Sequence, residues 1–375
     1  MPLAVKISRS ITGIGQKDWE SVYPGIPESY GYLKTCDETL RGQFEFYYVS
    51  IYDEGGIAFC APIFVANYPI ETTLDGPLKK TAEAIRRVLP KLLTFRAVIC
   101  GSPACEGRVG IKDTAGWARM LDILVREMDG IARTENASVL GFKEFSEDYD
   151  TPFARLKDIF FRKFPAFPSV RMELPFGTFD EYFRTLSKKT QIDLKRKFKK
   201  TDGTVDIRMA VLPSLGALLD EAYGLYRANL DKAETRFEEM TRDFFRRIPE
   251  NMPGESRYFV WHIDGRLAAF SQTLVSKDLL IAEYIGFDYS VAYKYNLYFI
   301  VMRDQLKWCI ENGIRKYESG ALNYDPKRRL GFTFVPQYIY ARHRNRFVNG
   351  LLAIVTGILD PQKHDPVLKS LRKKP

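Results

Sequence analysis

Histidine is nearly absent from this chain: 375 residues carry three, His262, His343 and His364. None stands at a spacing from Ser, Asp, Cys or a second His that would build a nucleophilic triad or a zinc site. Cysteine is scarce too. Cys36, Cys60, Cys100, Cys105 and Cys309 are odd in number and follow no framework spacing, which excludes a disulfide scaffold and points to a reducing, cytoplasmic setting. "CGSPAC" (100–105) lacks the C-x-x-C spacing and reads as a structural loop, so no metal is expected. Long apolar runs are missing as well. The N-terminal "MPLAVKISRSITGIG" has no sustained apolar core of the signal-peptide kind. The longest nearly uncharged stretch, "FVNGLLAIVTGIL" (347–359), is too short to span a bilayer. It follows "ARHRNR", so two readings stand: a helix packed on the body of the protein, or one lying on an anionic membrane. Low complexity is confined to a basic tail, "KSLRKKP", read as disordered.

What is present is length, apolar content and positive charge. The chain is comfortable for two domains. With 45% apolar and 14% aromatic residues it can bury a large core, and a net charge of +9 favours an anionic partner. Its pattern occurs twice. "FYYVSIYDEGGIAFCAPIFVAN" and "RYFVWHIDGRLAAFSQTLVSKD" each read strand, Asp/Gly turn, strand. Downstream, "AGWARMLDILVREMDGIARTENASVLGFKEF" and "NLYFIVMRDQLKWCIENGIRKYESGAL" each read amphipathic helix, polar break, strand. Two related α/β domains follow, with a boundary among Pro165, Pro168 and Pro175. "TFDE" (178–181) fits a capping box, so a helix is predicted from Phe179.

The stretch "SKKTQIDLKRKFKK" (187–200) sets seven cations against one Asp. Leu186, Thr190, Leu194 and Phe198 form a stripe spaced by four, which predicts an amphipathic helix with a cationic outer face. Lys188, Lys189, Lys195, Arg196 and Lys199 are the candidate polyanion surface. The open readings are a solvated face or a surface for phosphate, in RNA or another polyanion.

These residues, in this order, resemble the tandem-domain Fem-like and leucyl/phenylalanyl-transferase-related branch of the GNAT acyltransferase superfamily. "YFRTLSKKTQIDLKRKFKK" is similar to the start of the second domain of that branch. "YIGFDYSVAYKYNLYFIVMRDQLKWCIENGIRKYESGALNYDPKRRLGF" is similar to its distal half. The likeness covers 178–348 well and 20–165 faintly. It implies two tandem GNAT-like domains, each a mixed, mostly antiparallel sheet flanked by helices: a degenerate one over 1–165, an acyltransferase domain over 166–355, and the basic tail over 356–375. It implies transfer of an acyl or aminoacyl group to an amine of a small molecule or peptide, with no tightly bound cofactor. Where acetyl-CoA enzymes carry a Gly-rich turn, "GFDYSVAYKYNLY" (286–298) holds tyrosines. That departure shifts the expected donor to aminoacyl-tRNA or acyl carrier protein, with acyl-CoA as the alternative. The rival class is a non-catalytic protein that binds RNA or, peripherally, a membrane.

Site candidates follow. Glu283, in the apolar strand "LLIAEYIGF", Asp288, and Glu318, beside Ser319 and Gly320, are the candidate acid–base groups, with an inert, outward-pointing carboxylate as the other reading of Glu283. Tyr284 and Tyr295 are candidate pocket walls or proton donors, with plain core packing as the other reading. In "NYDPKRRLGF" (323–332), Lys327, Arg328 and Arg329 form a cationic turn and Gly331 permits close approach. By resemblance to a Tyr-x-x-Lys segment, Tyr324 joins Lys327, Arg328, Arg329, Gly331 and Asn296 as the donor- and phosphate-binding set.

Overall fold

The computed structural model of the chain describes residues 3–23, 25, 29–69, 94–233, 237–350 and 365–372. The chain divides into two compact units, Met1–Phe167 with Pro336–Pro375, and Pro168–Val335.

In the first unit, β1 (Ala4–Ser8), β2 (Glu45–Asp53), β3 (Gly56–Pro69), β4 (Thr94–Cys100), the two-residue β5 (Gly110–Ile111), β6 (Val139–Ser146) and β7 (Arg162–Pro165) are joined by a strand from far down the chain, β15 (Gln337–His343). The sheet runs β1-β2-β3-β4-β6-β15-β7, with β5 beside β3. In the second unit, β8 (Ser169–Glu173), β9 (Ile207–Leu212), β10 (Ser256–Ile263), β11 (Arg266–Ser276), β12 (Leu279–Phe287), β13 (Lys316–Ser319) and β14 (Thr333–Val335) run β14-β8-β13-β12-β11-β10-β9.

The two sheets repeat one plan. Each begins with an antiparallel ladder of four strands. Each then has one parallel pair, β4 with β6 or β12 with β13, and closes with two antiparallel strands. The duplication read from the hairpin and helix patterns is therefore present strand for strand. Even the hairpin bulges correspond, at Ile51/Tyr52 and at Trp261/His262. The second hairpin turns on Asp264 (φ 49°) and Gly265 (φ 79°), both left-handed as a two-residue turn between twisted strands requires.

The boundaries differ from the sequence expectation. The second domain was expected to run to 355, yet β15 pairs with β6 and β7 in the first sheet. The tail is not wholly irregular either, because Pro366–Arg372 is helical. The apolar stretch 347–359 lies, from 351 on, outside the described residues.

Helix α1 (Trp117–Thr134) covers the first sheet with Leu121, Leu124, Val125 and Met128, all buried in a core shared with Val49, Phe59, Phe142 and Phe153. In the second unit, α2 (Phe179–Thr185) starts where the capping box predicts. Thr178 Oγ1 accepts from Glu181 N at 3.2 Å, while the Glu181 carboxylate reaches back to Gly177 N at 2.8 Å. Helix α3 (Lys188–Asp202) follows after Ser187, whose hydroxyl caps it by accepting from Thr190 N at 3.2 Å. Then come α4 (Leu219–Asp231), α5 (Arg242–Asn251), α6 (Leu297–Glu311) and α7 (Tyr324–Arg329).

Helix α6 backs one face of the second sheet. Trp261 Nε1 donates to Asp304 at 3.0 Å, Tyr317 donates to Gln305 at 2.7 Å, and Trp308 meets the edge of Phe259. Helices α4 and α5 back the other face through Tyr226, Phe244 and Phe245, which surround Tyr284. Gly286 is what lets α4 come so close: a Cβ there would lie 2.6 Å from Leu225 C and 2.7 Å from Tyr226 N.

Candidate functional site

Strands β12 and β13 run parallel, but only Leu279–Ala282 pairs with Lys316–Ser319. There β13 ends and β12 continues to Phe287, held on its other side by β11. Among the described residues no ladder follows β12 beyond Ala282 on the β13 side. Backbone amides and carbonyls along 283–287 can therefore meet an extended ligand as a further strand would.

The first unit starts from the same geometry and closes it. Ala97–Cys100 pairs with Val139–Phe142, and the loop after β4 then folds onto β6. Gly107 N donates to Glu144 O at 2.9 Å, and Lys143 Nζ donates to Cys105 O at 3.1 Å. Gly107 lies so close to β6 that a Cβ would stand 2.1 Å from Lys143 O. The "CGSPAC" loop read as structural thus fills the position that stays open in the second unit.

The second unit also holds an open hollow of about 310 Å³, lined by Thr185, Leu186, Ser187 and Thr190 and by Arg328, Arg329 and Gly331. The 323–332 segment therefore does border a crevice, with two of its three predicted cations. Gly331, at φ 87°, keeps Leu186 within 3.7 Å of its missing Cβ position. Arg329 bonds Asp325 at 2.7 Å and Arg328 approaches it at 3.4 Å. One carboxylate thus holds both guanidinium groups at the rim and leaves the pair a net positive charge.

The other members of the donor set are not brought together here. Lys327 is 5% exposed, donates to the Gly320 carbonyl at the end of β13, and is driven by burial down to about 7. It is a buried amine near neutrality, not a rim cation. Tyr324 is buried, donates to Pro168 O and packs on Phe334. Both point inward because they stand three apart on one turn of α7, while Arg328 and Arg329 continue round to solvent. Asn296 sits at the start of α6 with φ 51° and does not line the hollow. In the tyrosine-rich turn before α6, Asp288 accepts from Ser290 N at 2.9 Å. A carboxylate there repels an anion, which agrees with the departure from the Gly-rich pyrophosphate turn.

The acid–base candidates lie apart from the hollow. Glu283 is half-buried and is the extra residue of a bulge, since Ala282 opposes Thr273 and Tyr284 opposes Gln272. It therefore stands where β12 runs on past its ladder with β13, a placement bulges commonly give to functional groups. Tyr284 is a wall residue among Tyr226, Phe244 and Phe245. Glu318 is engaged across the strands by Arg171 at 3.0 Å, a structural task that competes with proton transfer. Sequence reasoning missed Arg171, Ser187 and Thr190. Ser187 and Thr190 were visible only as helix residues, and Arg171 carried no signal before the β8–β13 register was known.

The outer face of α3 carries Lys188, Lys189, Lys195, Arg196 and Lys199, all exposed as expected, together with Lys200. Among the described residues no group of three or more His, Cys, Asp or Glu could hold a metal ion. Nor is any helix there long and apolar enough to cross a membrane. All five cysteines are buried thiols.

Residues 188–328 match the profile of the acetyltransferase (GNAT) domain family. Two Mycobacterium tuberculosis proteins (strains CDC 1551 and H37Rv) named "Putative 8-amino-7-oxononanoate synthase 2" are 22% identical over 324 residues, 84% of this chain. The chain spans only 42% of their length. The crystal structure of FemX superposes with a TM-score of 0.59 at 10% identity, over 94% of this chain and 99% of that one. The C-terminal domain of a "Putative Lysylphosphatidylglycerol Synthetase" from Agrobacterium fabrum superposes with a TM-score of 0.52 at 13% identity, over 92% and 96%.

Proposed function

We propose that the chain is a tandem-domain, Fem-like GNAT acyltransferase, and that its second unit, which holds the matched segment 188–328, moves an acyl or aminoacyl group from a carrier-bound donor to a primary amine. The observation that carries this reading is the edge of β12 over 283–287, which runs on past its ladder with β13, together with a hollow in the same unit lined by Arg328 and Arg329. An extended donor arm bonds to that edge, and Arg328 and Arg329 take its phosphate. Aminoacyl-tRNA, acyl carrier protein and acyl-CoA all present a phosphate next to their reactive arm, and the first two are the favoured carriers. The lysyl group in the name of the Agrobacterium protein supports an aminoacyl donor. The product named for the mycobacterial relatives is a primary amine beside a ketone on an aliphatic chain, an amine of the acceptor class proposed here.

In the reaction the amine lone pair attacks the donor carbonyl carbon. The C–N bond forms, and the C–O bond of an ester or the C–S bond of a thioester breaks. The carrier leaves with its hydroxyl or thiol protonated. Backbone N–H groups of β12 steady the developing oxyanion. Glu283, where β12 runs on past its ladder with β13, is the proposed acceptor of the proton lost from the amine and passes it on to the leaving oxygen or sulfur.

The test presents the purified protein with an aliphatic primary amine and three donors in parallel: aminoacyl-tRNA, acyl carrier protein thioester and acyl-CoA. Transfer from at least one donor is expected. Glu283→Gln should lower kcat about 100-fold, whereas Arg328→Ala with Arg329→Ala should mainly raise KM. Nuclease abolishes the tRNA reaction and spares the thioester ones, which names the carrier. No transfer from any donor overturns the reading.

A further inference from the structure

Helix α3 presents a surface that the transfer reaction does not use. Its inner side is fixed: Leu194 is 2% exposed, Thr201 donates to Tyr295 O at 2.8 Å, and Asp202 takes Arg303 in a two-bond pair at 2.8 and 3.0 Å. At 100° per residue, the exposed residues Lys188, Lys189, Ile192, Lys195, Arg196, Lys199 and Lys200 fall within an arc of roughly 140°. Ile192 is 70% exposed and stands near the middle of that arc. The one carboxylate on this stretch, Asp193, lies at the flank and is taken up by Arg196 and Lys197. The result is an isoleucine left in water at the centre of a ring of lysines, on a helix that cannot turn it inward.

We propose that this face docks on an anionic membrane surface, with Ile192 entering below the headgroups and the lysines pairing with lipid phosphates. Charge complementarity selects an anionic partner. The isoleucine selects lipid over nucleic acid. An RNA face uses aromatic rings or arginine planes to meet bases, and this arc holds no aromatic and a single arginine. An aliphatic side chain gains nothing against a phosphate backbone, but it gains its full transfer free energy in the acyl boundary of a bilayer.

The experiment measures co-sedimentation of the full chain with vesicles of phosphatidylglycerol mixed with phosphatidylcholine, and with phosphatidylcholine alone. It needs no donor or turnover, so its outcome is independent of the proposed transfer activity. Wild-type protein should bind the anionic vesicles and ignore the neutral ones. Ile192→Ser should weaken binding about tenfold, and Lys188→Gln with Lys189→Gln, Lys195→Gln and Lys199→Gln should abolish it. Because Ile192 is exposed, neither change should alter the circular dichroism spectrum. Ile192→Trp should add fluorescence that brominated lipid quenches. No binding to anionic vesicles overturns the proposal. So does wild-type-like binding by Ile192→Ser that free tRNA displaces, which would assign the face to nucleic acid.

Discussion

Lys327 shows how one residue departs from what its neighbours in sequence suggest. Three consecutive cations read as one patch, but on a helical turn each is rotated about 100° from the last. The one that shares a face with the buried Tyr324 is carried inward. Its amine is held down to about 7 by burial, against an ordinary value of 10.5 in the unfolded chain. Between these values the unfolded state binds more protons, so stability rises with pH across that window. Below about pH 7 the folded protein carries a buried ammonium and bears the whole cost. Lys327→Met removes this titration. We expect urea midpoints for the variant to lie above wild type near pH 6 and to lose that advantage near pH 10. A parallel pH profile for the two proteins would contradict this account.

At the scale of elements, close approach of α4 to the sheet depends on one missing side chain. Gly286→Ala would drive a methyl group into the backbone of Leu225 and Tyr226. The expected cost is about 1–3 kcal/mol, the range for overpacking, read as a lower denaturation midpoint. Because β12 must shift to relieve the clash, transfer activity should fall as well. The paired hairpins and amphipathic helices were legible in the sequence because their signals are local: alternation, a turn dipeptide, a helical stripe. Strands β8 and β15 were not. Each is short, and each finds its partners across more than a hundred residues, Glu173 with Lys316 and His343 with Val139. Arg171 gained its meaning only through that register.

At the scale of the whole molecule, the chain leaves the first unit after Phe167, builds the second, and returns at Pro336 to lay β15 between β6 and β7. A chain stopped at 335 would leave β7 without its partner and β6 paired with β4 alone. We expect such a truncation to lose the cooperative unfolding of the first unit and expose its core to dye. Residues 168–335, which hold all seven strands of their own sheet, should still unfold cooperatively. Equal loss in both pieces would show that the units depend on each other for folding.

The amino-acid sequence by itself determined the duplicated α/β plan, the two hairpins, the capped start at Phe179 and the cationic face of α3. Each rests on periodicity or on chemistry between residues close along the chain. Tertiary structure alone decided which copy has a strand running on past its parallel partner, which of three adjacent cations is carried inward, and where the second unit ends. Those outcomes turn on contacts between segments far apart in sequence: Gly107 against Lys143, Tyr324 beneath Pro168, and Gln337 opposite Ser146. No local pattern encodes such contacts, because their free energy exists only once the sheets have closed.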